Sequence, residues 1–231
     1  MPPSNTEKME LDRRKEVTVK SKIYCLGGLI IEKNIFTNLS HAGLELVHIP
    51  YEPPKNKESL KDYAFRHFNQ AQLPENYQLL GVSFGGIIAT EFAKIRKPQK
   101  LYLVSSISRF KQIPLKYRLI GYLWANQLIP KRFLTSTKAL SRYLFGIKGK
   151  KNLERIKKFS SPKDLEFLRW ALKIILNWKN SVSPHAIRIH GTKDKILPYE
   201  GNAEYPILNG SHFIISNRSD EIAEILSLNN E

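Results

Sequence analysis

Three side chains in this sequence could together activate a hydroxyl: Ser83, Asp194 and His212. Ser83 sits in the run Gly81-Val82-Ser83-Phe84-Gly85-Gly86. A serine hydroxyl is a poor nucleophile at neutral pH. It needs an imidazole in hydrogen-bond reach to take its proton, and the imidazole needs a carboxylate to orient it. His212 lies in Gly210-Ser211-His212-Phe213, just after the apolar run Tyr205–Leu208. Asp194 lies in Gly191-Thr192-Lys193-Asp194, just after Ala186–His190. If both runs are strands of the sheet that carries Ser83, all three groups emerge at one edge of it. Asp62 and Glu200 are further carboxylates, but neither follows a strand so closely.

The elements that must position these groups are legible from periodicity. Tyr77–Val82 reads as a buried strand and Ile87–Ala93 as a helix, with Ser83 at the turn between them. Small neighbours at such a turn let strand and helix approach closely and tolerate a strained backbone. The N-terminus of the helix offers unpaired N–H groups to a developing anion. Lys22–Gly27, Leu44–Ile49 and Lys100–Ser105 read as further strands, the first extendable by Val17-Thr18-Val19. Helices are expected over Glu32–Ala42 and Ser59–Ala71 between them, and over Asp220–Leu228 with Ser219 as its N-cap. Alternating strands and helices predict a parallel sheet covered on both faces.

The alternation stops at Ile107. Helical stretches are expected over Pro114–Gln127, Thr135–Phe145, Lys150–Phe159 and Lys163–Trp178. In the last, Glu166, Arg169, Lys173 and Asn177 form one narrow polar stripe and apolar residues fill most of the remainder. A helix of that kind is covered by neighbours or lines an apolar pocket. Charge marks the same region. Residues 107–180 hold 18 Lys/Arg and 3 Asp/Glu, a net of +15, whereas the rest of the chain holds 19 and 18. The expected organisation is therefore a loose segment 1–16, a core of 17–106 and 181–231, and a basic helical cap of 107–180.

The pattern resembles a serine hydrolase of the α/β-hydrolase superfamily. Gly81–Gly86 resembles the nucleophile elbow, His190–Pro198 (HGTKDKILP) the acid loop, and Gly210–Phe213 the histidine loop. The order Ser83, Asp194, His212 is also that family's order. The resemblance covers nearly all of the chain after Lys20. It implies an α/β fold with a trimmed, mostly parallel sheet and an inserted all-helical cap, since the chain before Lys22 is too short for the family's leading hairpin. It implies an oxyanion hole from the N–H of Phe84 and that of Leu29, with Gly28 as the neighbouring option. One departure stands out: Gly27 occupies the place of the family's oxyanion-loop histidine.

The expected activity is hydrolysis of a carboxylic ester or thioester through an acyl-enzyme, with the acyl chain in an apolar pocket under the cap. Two other readings stay open: an acyltransferase on the same residues, or a protein that binds anionic partners through the basic cap. The expected partner is a small ester or thioester, with an anionic donor and peripheral membrane contact left open. No nucleic-acid motif accompanies the basic residues. His41, His48, His67 and His185 have no metal-ligand spacing, so neither metal nor cofactor is expected. His190 reads as structural. The one cysteine, Cys25, fits a reducing compartment, and no apolar run approaches the ~18 residues of a membrane span, so a cytoplasmic protein is expected.

Overall fold

A computed structural model describes residues 21–29, 34–37, 39, 44–119 and 162–230. The expected loose segment 1–16, Val17–Val19 and the helices over Thr135–Phe145 and Lys150–Phe159 lie outside these residues, as does most of Pro114–Gln127.

Among the described residues, six strands form one sheet. They are β1 (Ser21–Leu26), β2 (Leu44–His48), β3 (Gln78–Val82), β4 (Lys100–Val104), β5 (Ile187–Gly191) and β6 (Tyr205–Ile207). The order is β2-β1-β3-β4-β5-β6, and all five pairings are parallel. Parallel neighbours need crossovers, and four of the described helices lie between strands: α1 (Asn34–Thr37), α2 (Leu60–Gln70), α3 (Phe84–Ile95) and α4 (Pro162–Asn177), while α5 (Ile214–Asn217) and α6 (Ser219–Leu228) follow β6.

Side chains alternate across the sheet, as the two-residue strand period requires. Leu79, Leu101 and Leu103 face a cluster built with Tyr63, Phe68, Ile88 and Phe92 of α2 and α3, and with Ala171 and Leu176 of α4. Leu80, Val82, Tyr102 and Val104 face the opposite cluster, with Phe36 of α1 and Ile222 and Leu226 of α6. Burying both faces explains why the central strands read as unbroken apolar runs rather than alternating ones.

Helix α2 starts where Ser59 accepts the N–H of Asp62 at 3.1 Å, an N-cap that fixes its first turn. On α4 the expected stripe holds: Glu166, Arg169, Lys173 and Asn177 are exposed while Ala171, Leu172 and Leu176 are buried. One expected cap is wrong. Ser219 is the first residue of α6, Arg218 is its N-cap, and no side chain caps it. The short helix α5 ends directly before it, so the Arg218 N–H is taken by the Ile214 carbonyl at 2.8 Å.

Candidate active site

The site grows from the β3–α3 turn. Ser83 takes φ 53° and ψ −116°, a left-handed backbone that costs a non-glycine residue on the order of 1–3 kcal/mol. Packing holds it there. The Ser83 N–H donates to the Val104 carbonyl at 3.0 Å, and its own carbonyl accepts from Gly86 N–H at 3.0 Å and Ser106 Oγ at 2.6 Å. A Cβ on Gly81 would fall 2.5 Å from the Gly86 Cα, and one on Gly85 would fall 2.2 Å from the Leu26 carbonyl oxygen. Those two glycines are therefore demanded by close approach, of strand to helix and of helix to the loop after β1.

The loops after β5 and β6 are tied together by backbone. Thr192 N–H donates to the Ile207 carbonyl at 3.0 Å and Lys193 N–H to the Gly210 carbonyl at 2.8 Å. This brings Asp194 and His212, both buried, side by side. His212 Nδ1 lies 2.8 Å from Asp194 Oδ2, and His212 Nε2 lies 2.9 Å from Ser83 Oγ. Asp62 and Glu200 are engaged elsewhere, by the Ser59 hydroxyl at 2.6 Å and by Gln112 Nε2 at 3.2 Å.

Asp194 is surrounded by donors. Its Oδ1 accepts the N–H of Ile196 at 2.8 Å and of Leu197 at 2.9 Å. Its Oδ2 faces His212 and also His190 Nε2 at 3.2 Å. Burial pushes the carboxyl up, but donors from His190, His212 and Leu197 together win and hold it well below the usual carboxylate range. An ionised carboxylate can only accept, so His212 must carry its proton on Nδ1. That leaves Nε2 with a lone pair toward Ser83, whose hydroxyl donates to it. The arrangement can take a proton from Ser83 Oγ and return it to a departing group.

Phe84 follows Ser83 as the first residue of α3, so its N–H has no acceptor within the helix. The Phe84 ring is buried among aromatic residues. Tyr51 lies 5.9 Å away, Phe167 6.1 Å and Trp170 6.1 Å between ring centroids. Phe167 and Trp170 belong to α4, so the last helix before β5 meets the elbow through rings. Leu29, half-buried in the turn after β1, packs against the same cluster.

Sequence reasoning read His190 as structural. It does donate to the Leu197 carbonyl at 2.8 Å, but the same Nε2 also faces Asp194. Ser106 and Tyr51 were missed altogether. Each lies within about three residues of the end of a strand of the sheet, β4 or β2, and so emerges at the edge that carries Ser83; that position was the available signal.

No protein-family model matches the chain, and no curated sequence does. Solved structures do. A thermophilic esterase from Thermogutta terrifontis superposes with a TM-score of 0.65 at 12% identity, covering 90% of this chain and 88% of the other. An esterase from Exiguobacterium antarcticum gives 0.61 at 16%, covering 90% of each. ClbQ from the colibactin NRPS/PKS pathway gives 0.58 at 13%, covering 90% and 95%. At these identities the likeness is one of fold.

Proposed function

Because the chain has the α/β-hydrolase fold, we propose that it is a serine hydrolase that cleaves a carboxylic ester or thioester through an acyl-enzyme. One observation carries the reading: the unbroken chain from Asp194 through His212 to a Ser83 held at positive φ. Ser83 Oγ attacks the carbonyl carbon while His212 Nε2 takes the hydroxyl proton. The carbonyl oxygen becomes an anion facing the N–H groups of Phe84 and Leu29, which are strongest as donors when that charge develops. The intermediate collapses, the carbon–heteroatom bond breaks, and His212 gives its proton to the leaving alcohol or thiol. Water then repeats the cycle on the acyl-enzyme, releasing the acid. Two of the structural neighbours are described as esterases, which supports this chemistry.

The rings of Tyr51, Phe84, Phe167 and Trp170 suit an apolar acyl group, as small-molecule pockets are mostly apolar with a few placed polar groups. Helix α4, at the end of the expected cap 107–180, brings Phe167 and Trp170 to it, and residues 120–161 of that cap lie outside the described residues. A cleft of about 490 Å³ between residues 54–59 and α4 opens beside Trp170. Lys55, Lys57, Arg169 and Lys173 line it against Glu58 and Glu166, and Glu58 is paired with Arg66 at 2.8 Å. This excess of cations supports a donor with an anionic portion. Among the described residues no helix is long and apolar enough to cross a membrane. The single free cysteine, buried Cys25, suits the cytoplasm as the working compartment.

The test is labelling by a fluorophosphonate probe, followed by turnover of esters and thioesters graded by chain length. Wild-type protein should label at one site, and Ser83→Ala should neither label nor turn over. A Ser83→Ala protein with full turnover would end the proposal.

A further inference from the structure

The loop after β1 lacks the side chain that the fold's resemblance would place there, because position 27 is glycine. Something else must hold its backbone. The Gly27 carbonyl oxygen accepts the Tyr51 hydroxyl at 2.5 Å. It also lies against the first turn of α3, where a Cβ on Gly85 would come within 2.4 Å of it. The Gly27 carbonyl and the Gly28 N–H belong to one planar peptide, so fixing one direction fixes the other and sets the path into Leu29. The Tyr51 ring meanwhile lies 5.9 Å from that of Phe84 and 5.1 Å from that of Phe167. Burial raises the Tyr51 hydroxyl well above its ordinary range, with the neighbouring Tyr63 adding to the effect, so it remains a donor at any working pH.

We propose that Tyr51 is the positioning residue of the oxyanion hole: its hydroxyl orients the Gly27–Gly28 peptide and its ring braces Phe84. One side chain thus reaches both halves of the hole, from a loop that follows a third strand. The proposal rests on Ser83 being the nucleophile. Its effect belongs to the transition state, because oxyanion donors matter most when the carbonyl oxygen carries charge. Complete loss of one donor costs about 10²–10³ in rate, and a tilted loop costs less than that.

The experiment compares wild type with Tyr51→Phe, which keeps the ring and removes only the donor. Rates are expressed per site counted by fluorophosphonate labelling, so unfolded material does not enter. We expect kcat for an ester to fall about 10–100-fold at constant KM. A trifluoromethyl ketone, whose serine adduct bears the oxyanion, should lose affinity by the same factor. Tyr51→Leu, which also removes the ring from Phe84, should lose more on both measures. Unchanged kcat in Tyr51→Phe would overturn the proposal, as would a fall in kcat with undiminished ketone affinity or a change confined to KM. If wild type labels and Ser83→Ala is dead while Tyr51→Phe is fully active, only the role of Tyr51 fails. If Ser83→Ala retains turnover, the nucleophile reading fails first and takes this one with it.

Discussion

Two buried polar groups in this molecule are treated in opposite ways. Asp194, 5% exposed, has donors on both oxygens, from two backbone N–H groups and two imidazoles. His67, 2% exposed, is walled by Tyr51, Tyr63 and Phe92, and neither ring nitrogen has a hydrogen-bond partner among the described residues. The carboxylate is kept charged and the imidazole is kept neutral. Burial, with Arg66 nearby, lowers the His67 pKa to about 4. The contrast teaches that burial alone does not set a protonation state. The hydrogen bonds that accompany it do, and the fold supplies them where the strand ends converge and withholds them between α2 and the aromatic cluster.

Breaking the well-paired side should have the largest effects. His212→Ala removes the group that links Ser83 to Asp194, and acylation should fall by about 10⁴-fold or more. Single-turnover labelling with the fluorophosphonate measures this directly. Asp194→Asn keeps the shape but offers His212 an amide, which no longer selects the Nδ1 proton. A loss of about 10³–10⁴ in kcat is expected. Adding it to His212→Ala should cost little more, because the groups act as a unit.

A smaller effect sharpens the same comparison. His190→Ala withdraws one of the donors on Asp194 and should lower kcat by roughly tenfold, in line with losses of supporting hydrogen bonds around functional groups. His190→Gln, which can still donate, should recover part of it. Equal activity of the alanine variant and wild type would show that Ile196, Leu197 and His212 suffice.

The unpaired side is predicted to appear in stability rather than turnover. The folded pKa of His67 lies below its unfolded value near 6.5, so the unfolded chain binds the proton first. Stability is then fully present above pH 6.5, declines as pH falls, and levels off below about 4. At pH 5 the loss from this group is about 2 kcal/mol. His67→Leu should abolish that component. The gap between variant and wild type in urea denaturation should therefore widen in the variant's favour from pH 7.5 to pH 5. A gap that does not change with pH would show that His67 is solvated or partnered.

Much of the fold could be read from residue order. The apolar runs at β1 to β6 marked the strands within a residue or two, most plainly at the central strands, where burial on both faces leaves a continuous signature. The glycines around Ser83 marked the turn for the same local reason. The N-cap of α6 was misplaced because α5 runs directly into it, and two short helices abutting leave no polar boundary to see. His190 was read for its own satisfaction alone, since its neighbour Leu197 and its neighbour Asp194 compete for one nitrogen only in three dimensions.

The amino-acid order alone determined which chemical groups stand at strand ends and on which edge of a parallel sheet they emerge. Strand period and turn chemistry are local, so a few neighbouring residues encode them. Tertiary structure alone decided that Ser83 and His212, 129 residues apart, close to 2.9 Å. It also decided that the Tyr51 hydroxyl falls on the Gly27 carbonyl across 24 residues, and that His67 has no hydrogen-bond partner among the described residues. Those outcomes depend on how whole elements pack, and a hydrogen bond is made or lost over less than 1 Å. No local pattern in a sequence resolves distances that fine.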